Sequence, residues 1–173
     1  SIVSLRAYKL GETLRHFGHN APATVATVVN GVPSSRDTSF SRRTNWQTAT
    51  EVTPNISRYE FPLDREFKNI SVGDTVLIQG RFSNTKTSSP IRFTLVRNVG
   101  NIENESMTWG MQSGAASMLT FDNSLRVIRN GITFRYADIR SLSLLQVIEA
   151  PFTVRGAQIN TNADSGQTLK YFG

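Results

Sequence analysis

The chain contains no cysteine, which excludes a disulfide framework and any cysteine-based metal site. Histidine is almost as scarce. With only His16 and His19, a zinc centre would have to complete its ligand set with carboxylates. No stretch approaches the ~20 apolar residues that a membrane helix needs, so a helical membrane span is excluded. The glycines form no G-x-x-x-x-G-K-[S/T] and no G-x-G-x-x-G, so no phosphate loop is indicated, and there is no G-x-S-x-G nucleophile elbow. No fixed-period repeat and no low-complexity tract interrupts the chain. Lysine is sparse too: Lys9, Lys68, Lys86 and Lys170 are four of 19 cations, and the other fifteen are Arg.

That last imbalance is informative. Nineteen cations against 13 acids give a net charge of +6 and a pI near 10.2. Guanidinium is weakly hydrated and forms planar, forked hydrogen bonds, so it suits contact surfaces better than ammonium does. The Arg residues run from Arg6 to Arg155 with one adjacent pair, Arg42–Arg43. A nucleic-acid protein more often clusters its charge, so a basic, contact-rich surface is expected and nucleic acid is the less favoured partner. The 173 residues, with 38% hydrophobic content, 10 Phe and 4 Tyr, suit one folded domain over residues 1–173. The chain opens Ser-Ile-Val-Ser, with no initiator Met and no basic segment leading into an apolar one. The expectation is a fragment of a larger protein without a visible signal peptide.

Short turn-bounded runs dominate. Thr75 to Phe82 (TVLIQGRF) has the clearest strand character, and Ile91 to Val99 alternates like a half-buried strand, so the two predict a hairpin across an eight-residue connection. Asn130-Gly131 between Ser124–Ile128 and Ile132–Tyr136 marks a second hairpin, because both central residues of a type I′ turn need positive φ. Ser1–Leu10, Ser57–Leu63, Leu142–Glu149 and Phe152–Gln158 also read as strands. Gly11–Gly18 is compatible with a helical turn or a loop. Gly100–Ser106 reads as polar connection, and Ala115, Ala116, Met118 and Leu119 fit the start of a short helix. Residues 23–54, rich in Ser, Thr, Asn, Gly and Pro, read as a long irregular excursion with one short strand at most, a feature often used for docking. The fold predicted is mainly β, an antiparallel β-sandwich or small β-barrel with long polar loops.

Few constellations carry chemistry. Glu12, His16 and His19 would share a face on a helix, but Gly18 and Pro22 oppose a helix there, and a turn with His rings bonded to backbone is the plainer reading. Asp64, Glu66 and Asp74 lie in polar bends, without sign of the buried carboxylate that acid–base work needs. Trp46, Trp109, Tyr59, Tyr136 and Tyr171 could line a sugar or base platform, but strand aromatics are more often core. Trp46 stands apart. It follows Arg42-Arg43 in the irregular stretch, where an aromatic flanked by Arg resembles an interface anchor, with Arg36 and Phe40 nearby. No cofactor is expected.

Three separated pieces carry a resemblance: Phe17-Gly-His-Asn-Ala-Pro22, the run from Phe61 to Ile78 (FPLDREFKNISVGDTVLI), and the run from Tyr136 to Pro151 (YADIRSLSLLQVIEAP). In this order they resemble a region of the large baseplate assembly proteins of phage-tail-like contractile injection systems, over roughly residues 14 to 155. The resemblance implies a structural domain of a baseplate wedge component, assembled in the cytoplasm and carried in a virion or tail-like particle. It implies docking on other baseplate or tail subunits, without catalysis. Phe17, Gly18, His19, Asn20 and Pro22 would then form a rigid structural turn, with Gly18 free to take an unusual φ. The alternative is a ligand-binding β domain, either an OB-like nucleic-acid binder, suggested by Gly73 to Phe82, or a carbohydrate-binding module.

Overall fold

The computed structural model describes residues 5–22, 24–37, 57–82, 91–109, 112–134, 137–149 and 152–154. The architecture is mainly β and antiparallel, as the turn-bounded sequence pattern predicts. Six strands make the principal sheet: β2 (Leu10–Arg15), β5 (Glu60–Pro62), β6 (Thr75–Phe82), β7 (Ile91–Trp109), β8 (Gln112–Phe121) and β11 (Ser143–Val147), in the order β2-β11-β6-β7-β8-β5. The sheet curls into a half-barrel, and the C-terminal ends of its two outer strands, β2 and β5, meet. At this seam His16 bridges Leu63, the Phe17 amide donates to the Pro62 carbonyl at 2.9 Å, and the Asp64 amide donates to the Arg15 carbonyl at 3.0 Å. Three two-stranded ribbons complete the described chain: β1 (Leu5–Ala7) with β12 (Phe152–Val154), β3 (Thr24–Val29) with β4 (Val32–Asp37), and β9 (Val127–Arg129) with β10 (Ile132–Phe134).

Inside the curl lie Leu14, Phe61, Leu63, Ile78, Leu119 and Leu144, all withdrawn from solvent. Phe82 stacks on Phe93 at 4.2 Å and leans on Phe134 at 5.6 Å, so one end of the core is an aromatic cluster. Offset ring pairs of this kind add about 1 kcal/mol beyond their buried area. The loop between β5 and β6 is pinned from below. The buried Ser117 hydroxyl accepts the Phe67 amide at 3.0 Å and donates to Asn104 Oδ1 at 2.7 Å, which satisfies both of its roles. No helix among the described residues is long and apolar enough to cross a membrane.

Several segments differ from their sequence patterns. Gly11–Arg15 is strand rather than helical turn. Gly100–Ser106, polar in sequence, lies within the 19-residue strand β7. A bulge between Val99 and Asn101 lets this strand serve two neighbours, β6 along its first half and β8 along its second. Residues 103–106 are exposed, so nothing hydrophobic marks them as strand. Residues 115–119 also belong to a strand, not a helix start. Residues 116–119 are buried in succession, and a strand covered on both faces loses its period-two signature. Within 23–54, where irregular chain is expected, residues 24–37 form the β3–β4 ribbon. Asn30 and Gly31 take φ of 53° and 78°, the positive values that a type I′ turn requires. Asn130 and Gly131 do the same at 51° and 73°, at the hairpin predicted for them.

Candidate functional site

The seam is where the best-defined cluster of sequence-selected residues converges. β2 ends at Arg15, and the chain turns back on itself over residues 16–21. The His16 carbonyl accepts both the His19 amide and His19 Nδ1, each at 3.1 Å, and the Gly18 carbonyl accepts the Ala21 amide at 2.9 Å. Gly18 sits at φ +79°, and a Cβ added there would lie 2.6 Å from Trp109 Cδ1. The turn therefore needs glycine twice, once for its backbone and once for the indole against it. Two arginines bind the turn to the 3-10 turn Ile139–Ser141. Arg15 Nε donates to the Leu142 carbonyl at 3.0 Å and its Nη2 to the Arg140 carbonyl, while Arg140 Nη2 donates to the Ala21 carbonyl.

His16 is the chemically unusual member. Its ring is fully buried, edge-on to Phe61 at 5.0 Å and to Trp109 at 5.2 Å. The Phe17 carbonyl lies 2.7 Å from Nδ1, which fixes the proton on that nitrogen and leaves buried Nε2 without a hydrogen-bond partner among the described residues. Burial pushes its pKa from 6.5 down to about 3; the Phe17 carbonyl opposes this and nearby His19 adds to it. The ring is thus neutral and apolar in behaviour, suited to packing rather than to proton transfer near neutrality.

The other candidates separate. Glu12 is exposed and pairs with Arg65 at 3.1 Å, while His16 points into the core, so the helical alignment of Glu12, His16 and His19 does not arise. Among the described residues no group of three or more His, Asp and Glu is placed to hold a metal. Asp74 Oδ2 accepts the Ser71 amide at 2.8 Å and holds a turn, and Asp64 pairs with Arg65 at 3.3 Å. Trp109, 1% exposed, is core and offers no open platform. Phe17 is buried, His19 half-buried, and Asn20 and Pro22 exposed. Phe17 to Asn20 line one side of an open groove of about 360 Å³, with Asp64 and Gln112 to Ala115 on the other. Arg36 lies on β4, opposite Val25. Phe40, Arg42, Arg43 and Trp46, like Tyr136 and Tyr171, lie outside the described residues.

Two features escaped the sequence reading. Val-Val-Asn-Gly-Val at 28–32 carries the same Asn-Gly signal as 130–131 and marks the β3–β4 turn. The approach of His16 to Trp109 joins residues far apart in the chain, and no local pattern announces it. Comparison with protein-family models, curated proteins and solved structures finds no match to the chain.

Proposed function

We propose that this chain is a structural docking domain of a phage-tail-like contractile injection baseplate, binding neighbouring subunits and performing no bond chemistry of its own. The observation that carries the reading is the β3–β4 ribbon. It pairs with no other described strand and presents Val28, Val29 and Val32 to solvent at 70%, 56% and 63% exposure. The β9–β10 ribbon repeats the device with Ile128 and Ile132. Apolar side chains on projecting arms cost solubility unless a partner covers them. Guanidinium groups on separate elements, among them Arg58, Arg65, Arg81, Arg92 and Arg126, supply the polar rim that protein contacts use. The choice of machine rests on the resemblance carried by FGHNAP and its two companion segments.

Trp46 is the anchor proposed for this docking. Replacing it with Ala should reduce the yield of assembled particles at least tenfold, the order expected for a buried aromatic anchor worth about 2 kcal/mol or more. The isolated variant should keep its circular dichroism spectrum and melting temperature. Counting particles by electron microscopy checks the first outcome. Normal yield would remove Trp46 from the interface.

A further inference from the structure

Arg81 and Arg92 face each other directly across β6 and β7. Like charges at such a position repel, and a pair selected for stability alone would carry opposite signs. One carboxylate, Asp138, reaches Arg81 at 3.7 Å, while Arg92 has no ion pair or hydrogen bond among the described residues. The segment that joins the two strands, residues 83–90, adds one lysine and no acid in sequence. One cation is therefore left over.

The backbone beneath the pair is held firmly. The Arg81 amide donates to Ser141 Oγ at 2.9 Å, its carbonyl accepts the Asp138 amide at 3.0 Å, and Phe82 bridges Ala137. The next outward-facing pair, Gln79 and Thr94, is exposed and adds amide and hydroxyl donors beside the guanidinium groups. Together these residues line an open groove of about 420 Å³. A groove with two forked cations and neutral donors on a rigid strand pair suits paired oxyanions.

We infer that this groove binds an acidic segment of a partner protein, whose Asp or Glu carboxylates pair with Arg81 and Arg92. A single-stranded nucleic acid is the poorer fit, because stacking needs an exposed ring and the aromatic lining this groove, Phe93, is 4% exposed. The inference rests on the docking reading above and supplies the chemistry of one contact.

The test uses the whole chain and three probes: a ten-residue Asp/Glu peptide, its Asn/Gln counterpart and a ten-residue oligothymidylate. Binding is followed by titration calorimetry at low salt. The acidic peptide should bind, the neutral one should not, and Arg92→Glu should weaken binding at least tenfold while Lys68→Glu, at an exposed cation outside the groove, weakens it less than twofold. Arg92→Glu should also raise the melting temperature by about 1–3 °C, because it converts a repulsive cross-strand pair into an attractive one. Equal loss in both variants, tighter binding of the oligonucleotide, no binding of the acidic peptide, or a lowered melting temperature in Arg92→Glu would overturn the inference. If binding fails while the chain still co-purifies with sheath and tube proteins, the acidic contact is wrong and the docking role stands.

Discussion

Gly18→Ala should destabilise the protein by about 3 kcal/mol, whereas Gly31→Ala should cost about 1 kcal/mol. Both glycines have nearly the same backbone, φ +79° and +78°, so both variants bear the cost of holding an L-residue in the left-handed region. They differ in what the new methyl meets. At Gly31 nothing among the described residues lies within 4 Å. At Gly18 the methyl would sit 2.6 Å from Trp109 Cδ1 and 2.8 Å from Cγ. The indole cannot step aside cheaply, because it is 1% exposed and its ring is fixed against His16. Overpacking of this kind adds ~1–3 kcal/mol. Urea unfolding of the two variants beside the parent chain reads the difference. Equal losses would mean that the contact between the turn and Trp109 is absent in solution.

The second large effect is a loss of stability in acid that His16 causes. Its pKa of about 3 in the fold lies below the 6.5 of an exposed imidazole. The unfolded chain therefore takes up a proton as pH falls through 6.5, while the folded chain refuses it until about pH 3. The stabilisation is fully present above pH 6.5 and drains away as pH falls towards 3. Between pH 7 and pH 4 it should amount to about 3 kcal/mol, at 1.36 kcal/mol per pH unit. The carboxylates of the chain also respond to acid, so the measurement is a difference. His16→Phe keeps an aromatic ring between Phe61 and Trp109 and removes the proton site. Denaturant unfolding at pH 7 and pH 4 should show the parent losing about 3 kcal/mol more than the variant. Identical losses would show that the ring is solvated or otherwise partnered.

His16 and Gly18 also show where sequence legibility ends. The β character, the β6 span Thr75–Phe82 and the Asn130-Gly131 hairpin were readable because alternation, β-branching and turn chemistry are local signals. The β3–β4 ribbon was readable in principle from Asn30-Gly31 and from the β-branched run TVATVV of β3, but β4, Val-Pro-Ser-Ser-Arg-Asp, has the composition of a loop. The length of β7 was hidden because its second half is mostly solvated and carries a bulge. Residues 116–119 were hidden for the opposite reason, burial on both faces. Of the groove in the β6–β7 face, the Arg81–Arg92 pair follows directly from the hairpin register once Phe82 is set opposite Ile91. The seam does not. His16, Leu63 and Trp109 are brought together by the curl of the whole sheet, which only tertiary packing decides.

The docking role is tested most directly by tagging this chain in its native cells, purifying it at physiological salt, and identifying the co-purifying proteins by mass spectrometry. The account predicts recovery of sheath and tube proteins in fixed proportion to the tagged chain. Recovery of the chain alone, or with nucleic acid and no tail components, would contradict it.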